Sequence, residues 1–157
     1  MNTFDLIRAS TYSAPYAYAS IKGGTVVGSL FAYTYGQGTI LVMEAEGLPT
    51  IECEQGIHAV YIHEGSTCQS TSDHPFAGAG NVLNFTTCRR PYRTGDIPPL
   101  FSTNGSAWNI AYIGKFTPHQ IVGRTVSIHY GPNTFLNSEI NTTDPRIACG
   151  QIVQLYQ

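Results

Sequence analysis

Apolar and polar residues alternate with a period of two in seven short runs spread along this chain. The pattern runs from Tyr16 to Ile21, Thr25 to Tyr33, Thr39 to Glu46, Gly56 to His63, Ala107 to Tyr112, Thr125 to Tyr130 and Cys149 to Tyr156. Clusters of Gly, Pro, Asn and Ser separate the runs. In an extended chain, residues two apart share a face, so each run offers one apolar and one polar side. Short alternating runs between frequent turn signals predict an all-β, antiparallel sandwich or barrel. Tyr33-Thr34-Tyr35-Gly36-Gln37-Gly38-Thr39 predicts a hairpin turn in which glycine supplies the positive φ. No segment carries a convincing helical period, and Thr117-Pro118-His119-Gln120 predicts one short turn at most. Two long irregular stretches, Gly65 to Ser106 and Gly131 to Asp144, interrupt the pattern. Loops of that length within a compact domain are usually functional or derived from something functional.

At 157 residues the chain is long enough for one domain with a real core, so residues 1–157 are taken as a single unit. Charged residues make up 11% and the net charge is −2, without a basic stripe. That balance argues against nucleic acid or an anionic membrane as partner. With no basic-then-apolar leader and no apolar run long enough to span a bilayer, the expectation is a soluble, cytoplasmic protein, unless a leader has been trimmed away. No G-x-S-x-G elbow, P-loop, dinucleotide fingerprint or H-E-x-x-H stands in the sequence. The four cysteines, Cys53, Cys68, Cys88 and Cys149, form neither a C-x-x-C pair nor a zinc-ribbon spacing.

Candidate chemistry concentrates in two of the alternating runs. In Gly56-Ile57-His58-Ala59-Val60-Tyr61-Ile62-His63-Glu64-Gly65, Tyr61 and His63 share one face, while His58, Val60 and Ile62 share the other. An i, i+2 pair of histidines grips one ion; here the pair is Tyr and His. In Val122-Gly123-Arg124-Thr125-Val126-Ser127-Ile128-His129, Ser127 and His129 lie on the polar face. Two strands each offer one outward histidine.

Together with Asp144-Pro145-Arg146-Ile147-Ala148-Cys149-Gly150, these segments follow one another in an order that resembles the Cu/Zn superoxide dismutase family. The resemblance covers roughly Ala17 to Val153. It implies a Greek-key β-sandwich or barrel of about eight strands, with two long loops that correspond to the family's disulfide-and-zinc loop and electrostatic loop. It also implies a Cys68–Cys149 disulfide, leaving Cys53 and Cys88 either as a second bridge or as two buried thiols. Homodimers are common in such a family, so a homodimer is an open expectation, as is an unidentified protein or carbohydrate partner.

The family's four copper histidines map to Tyr61, His63, Val82 and His129, so two of four remain. A two-histidine site on an exposed face should hold copper weakly, because affinity grows with the number of imidazoles. Tyr61 is a doubtful third ligand, its phenol having to lose a proton near pH 10 to bind strongly. The family's zinc ligands map to Val82, Arg90, Arg93 and Asp96. Arginine cannot deprotonate to donate to a cation, so zinc is not expected. A guanidinium forked onto Asp96 would instead place positive charge where zinc would sit. Arg146 matches the arginine that guides the anion toward copper, a role with meaning only if copper is present. His58 matches a supporting core histidine. His74, on a loop, is a further doubtful nitrogen. The sequence thus predicts a superoxide-dismutase-like domain without efficient dismutase activity. A copper-only dismutase with an altered site is the alternative, and an interaction module on the same scaffold is a third.

Overall fold

The computed structural model describes residues 2, 4, 5, 7, 8, 13–50, 56–132 and 145–155. Nine strands follow in order: β1 (Ala17–Gly23), β2 (Val26–Tyr35), β3 (Gly38–Glu46), β4 (Ile57–His63), β5 (Asp96–Thr103), β6 (Ser106–Ile113), β7 (Thr125–His129), β8 (Arg146–Gln151) and β9 (Val153–Gln154). Every pairing is antiparallel, and the neighbour order is β2-β3-β6-β5-β4-β7-β8-β1-β9. Because β1 also pairs with β2, the first eight strands close on themselves. A closed barrel leaves no long edge for another chain to pair with. The expected all-β Greek-key barrel is therefore present, with β9 as a short addition on β1.

Alternation builds the core. Ala17, Ala19 and Ile21 of β1, Leu30 and Ala32 of β2, and Leu41 and Met43 of β3 point inward. They meet Ile62 of β4, Leu100 of β5, and Val126 and Ile128 of β7. The hairpin expected at Tyr33 to Thr39 closes through Gly36, at φ 57, with Tyr35 opposite Gly38. The short turn expected after Thr117 is helix α1 (Pro118–Ile121), with a reciprocal Thr117–Gln120 capping box and Pro118 in its first turn.

Strand β5 corrects the expectation that Gly65 to Ser106 is irregular throughout. Its Pro98-Pro99 pair obscured it, since proline cannot donate to a ladder. The fold places these prolines at a bulge, where the register with β4 shifts from His58↔Leu100 to Val60↔Ile97. Opposite them, the Ala59 amide turns away and donates to Gly131 O. On the other side the Asn109 side chain donates to Pro99 O at 3.2 Å. Asn104 (φ 51) and Gly105 (φ 78) make the tight turn from β5 into β6. The second long stretch, Gly131 to Asp144, lies mostly outside the described residues.

Candidate metal-site region

The long loop of residues 64–95 folds back over the outer face of β4 and β7. Val82 bridges to His63, the Leu83 amide donates to Ile62 O, and the Ile62 amide donates to Gly95 O. Gly65 and Gly95 lie where the loop backbone approaches closely: a methyl on Gly95 would collide with the Ile62 carbonyl and press on Val82. The Cys68–Cys149 disulfide, Cα to Cα 5.8 Å, ties the loop to β8. Cys88 is a free, exposed thiol, contrary to both options entertained for it, and Cys53 lies outside the described residues.

This cover changes the environment of the histidines. They were expected on an exposed face, but His63 is 1% and His129 9% exposed, and Tyr61 beside them is also buried. Alternation tells which face a side chain takes, not what lies over that face. The rings of His63 and His129 stack nearly parallel at 6.3 Å, and Tyr61 meets His129 edge-on at 4.9 Å.

Ser127 is the residue that organises this pair. Its Oγ lies 2.6 Å from His63 Nε2 and 3.1 Å from His129 Nε2. On the far side of its ring, His63 Nδ1 donates to Gly80 O at 3.0 Å. Burial, with the nearby Arg146 charge, pushes the His63 pKa from 6.5 down to about 3, although the Gly80 bond works the other way. The ring is neutral at physiological pH. Nothing in the sequence reading assigned Ser127 a role; its place two residues before His129 on the same face was the available signal. Thr125, two residues earlier again, is buried, and its hydroxyl has no hydrogen-bond partner among the described residues.

Around this pair stand the remaining candidates. His58 is buried; its Nδ1 donates to His129 O at 3.2 Å, and Ser102 Oγ lies 3.3 Å from its Nε2. Arg146, half-buried, donates to Phe76 O at 2.8 Å and to Gly80 O at 2.7 Å. Asp96, at the head of β5, receives a fork from Arg93: Nη2 to Oδ1 at 2.7 Å and Nε to Oδ2 at 3.1 Å. The Arg93 amide adds a third bond to Oδ2 at 2.8 Å. The same guanidinium lies 5.7 Å from the centre of the Tyr61 ring, within cation–π range. Lys115, also unanticipated, clamps the segment by donating to Arg93 O and Asp96 O. Arg90 makes no ion pair with Asp96. His74 is exposed, in a turn closed on Thr71. Among the described residues, no three His, Cys, Asp or Glu side chains come together as a metal-holding group, and no helix is long and apolar enough to cross a membrane.

A closed Greek-key barrel whose first long loop is tied by a disulfide to its eighth strand defines a class that comparison with known proteins identifies. The family model described as copper/zinc superoxide dismutase (SODC) matches residues 26–152, most of the chain. The chain belongs to the copper/zinc superoxide dismutase family. Among solved structures it is similar to the Cu/Zn superoxide dismutase from Brucella abortus, with a TM-score of 0.70. That match has 18% sequence identity and covers 86% of this chain and 98% of the other, a likeness that shows the fold. No curated protein sequence matches the chain.

Proposed function

We propose that this domain keeps the family's barrel as a scaffold, holds copper weakly or not at all, binds no zinc, and lacks efficient superoxide dismutase activity. The observation that carries the proposal is Ser127. Both Nε2 atoms that would face an ion share its hydroxyl, a neutral oxygen that binds copper poorly without losing its proton. The neighbouring positions offer a phenol at Tyr61 and an alkyl group at Val82. Two imidazoles are half of the family's copper set, and the donors present do not complete it. The zinc position fits less well still, because both oxygens of Asp96 are taken by Arg93. A guanidinium there supports the idea that arginine stands in for the ion and keeps the loop ordered without metal.

Metal analysis of the purified protein, followed by copper titration monitored by electron paramagnetic resonance, tests this. The expected result is stoichiometrically incomplete, easily chelated copper and no zinc. A tight type-2 signal with dismutase activity after reconstitution overturns it, in favour of a copper-only enzyme using His63, His129 and Tyr61 with Arg146 as anion guide. The combined Tyr61→His, Val82→His and Ser127→Val replacement should raise copper affinity by at least about 100-fold, since it supplies two imidazoles and removes the competing hydroxyl.

A further inference from the structure

On the open half of the barrel, across β2, β3, β6 and β5, lies a groove of about 640 Å³. Its walls include Trp108 and Phe101, 63% and 67% exposed, together with Val27. Between them stand Glu44 and Glu46, two residues apart on β3 with Ala45 turned into the core, so both carboxylates share the outer face. Glu44 is paired directly with Trp108 on one side and with Ser29 on the other. No lysine or arginine lines the groove. All eight Lys and Arg residues of the chain are among the described residues, and none forms an ion pair with Glu44 or Glu46.

We propose that this groove docks an extended, arginine-bearing segment of a partner protein, with a guanidinium seated between Glu44 and Glu46 and against the Trp108 ring. Positions two apart on a strand are spaced about 7 Å along the backbone, a separation that one forked guanidinium reaching two carboxylates spans. Tryptophan is the best aromatic partner for such a cation. A neutral ligand filling the same space would take water from two carboxylates without supplying the opposite charge, which is costly. Large aromatic side chains held open to water on a closed barrel mark an interaction surface. The site is on the other half of the barrel from the histidines, and it stands whether or not they bind metal.

Trp108 is the chain's single tryptophan, so its fluorescence reports on this groove alone. The test titrates the full chain with a blocked heptapeptide carrying two arginines, with its twin in which both are citrulline, and with a neutral glucose hexasaccharide. The arginine peptide should give a saturable change in Trp108 emission that weakens with added salt. Its affinity should be at least about tenfold above that of the citrulline twin. Glu44→Gln with Glu46→Gln should lower the affinity at least about tenfold, while Asp73→Asn, a remote exposed carboxylate, should leave it unchanged. Circular dichroism of each variant establishes that the barrel is intact. The proposal is overturned if no saturable change occurs, if the citrulline twin binds equally well, if the double glutamine variant binds like the parent, or if only the hexasaccharide is recognised.

Discussion

The two halves of the barrel use the same strand alternation to opposite ends. In β2 and the second half of β3, buried positions alternate with more open ones, and the outer side chains of Val27, Glu44 and Glu46 meet water. In β4 from His58 to His63, and throughout β7, every residue is buried. The loop of residues 64–95 contributes to this difference, because it packs on the outer side of Tyr61 to His63 and makes that face part of a second interior. That interior is polar. Away from water, a polar group must find its partner within the protein. Hence Ser127 serves two rings, Gly80 O receives both His63 and Arg146, and Asp96 is saturated by Arg93. The covered face is a network whose members depend on each other, while the outer side chains of Glu44 and Glu46 stand in water.

Removing the tether should do most to erase the contrast. Cys149→Ser opens a link between residues separated by 81 positions, and urea denaturation should show a loss of about 4 kcal/mol, with the loop becoming the first site of protease cleavage. Gly95→Ala, which drives a methyl into the Ile62 carbonyl, should cost about 3 kcal/mol in the same assay. Arg93→Ala leaves the buried Asp96 carboxylate without its fork and should cost about 2 kcal/mol. If Arg93→Ala and Asp96→Asn leave melting temperature and loop protease resistance unchanged, the idea that this pair replaces a metal is wrong.

Acid should act on the covered face next. An unfolded His63 takes up a proton below pH 6.5, which the folded ring refuses until about pH 3. Stability should therefore fall as pH drops through that window, by up to about 1.4 kcal/mol per pH unit, and this contribution is constant above it. His63→Gln should flatten that slope in metal-free protein. The smallest effect belongs to the open half: Glu44→Gln should shift stability by less than about 0.5 kcal/mol. A larger loss there would mean that the open face is also part of the interior network.

Strand existence was legible in the sequence wherever alternation was strict. It failed at β5, where Pro98-Pro99 argued against a strand and the Asn104-Gly105 turn signal, which would have paired that segment with β6, went unused. Arg146 was similarly placed outside the last run, although β8 begins there. The faces of Tyr61, His63 and His129 could be read from local spacing, and Asp96 only from the family resemblance. Their burial could not, because it comes from a loop whose return depends on contacts such as Cys68–Cys149 and His63↔Val82, distant in sequence or made by backbone alone. Ser127 was visible only as a polar residue on the right face.

A carbonyl oxygen can accept a hydrogen bond but never give one, and that fact sets a direction through the buried pair. Gly80 O fixes the His63 proton on Nδ1, leaving Nε2 to receive the one hydrogen that Ser127 carries. Ser127 Oγ then has only a lone pair to offer His129, so His129 must be protonated at Nε2. Two imidazoles that look alike in sequence, and lie nearly parallel in space, thus turn different roles toward Ser127, His63 Nε2 accepting and His129 Nε2 donating, in a queue that points toward the loop. Nitrogen-15 chemical shifts should read them as different species.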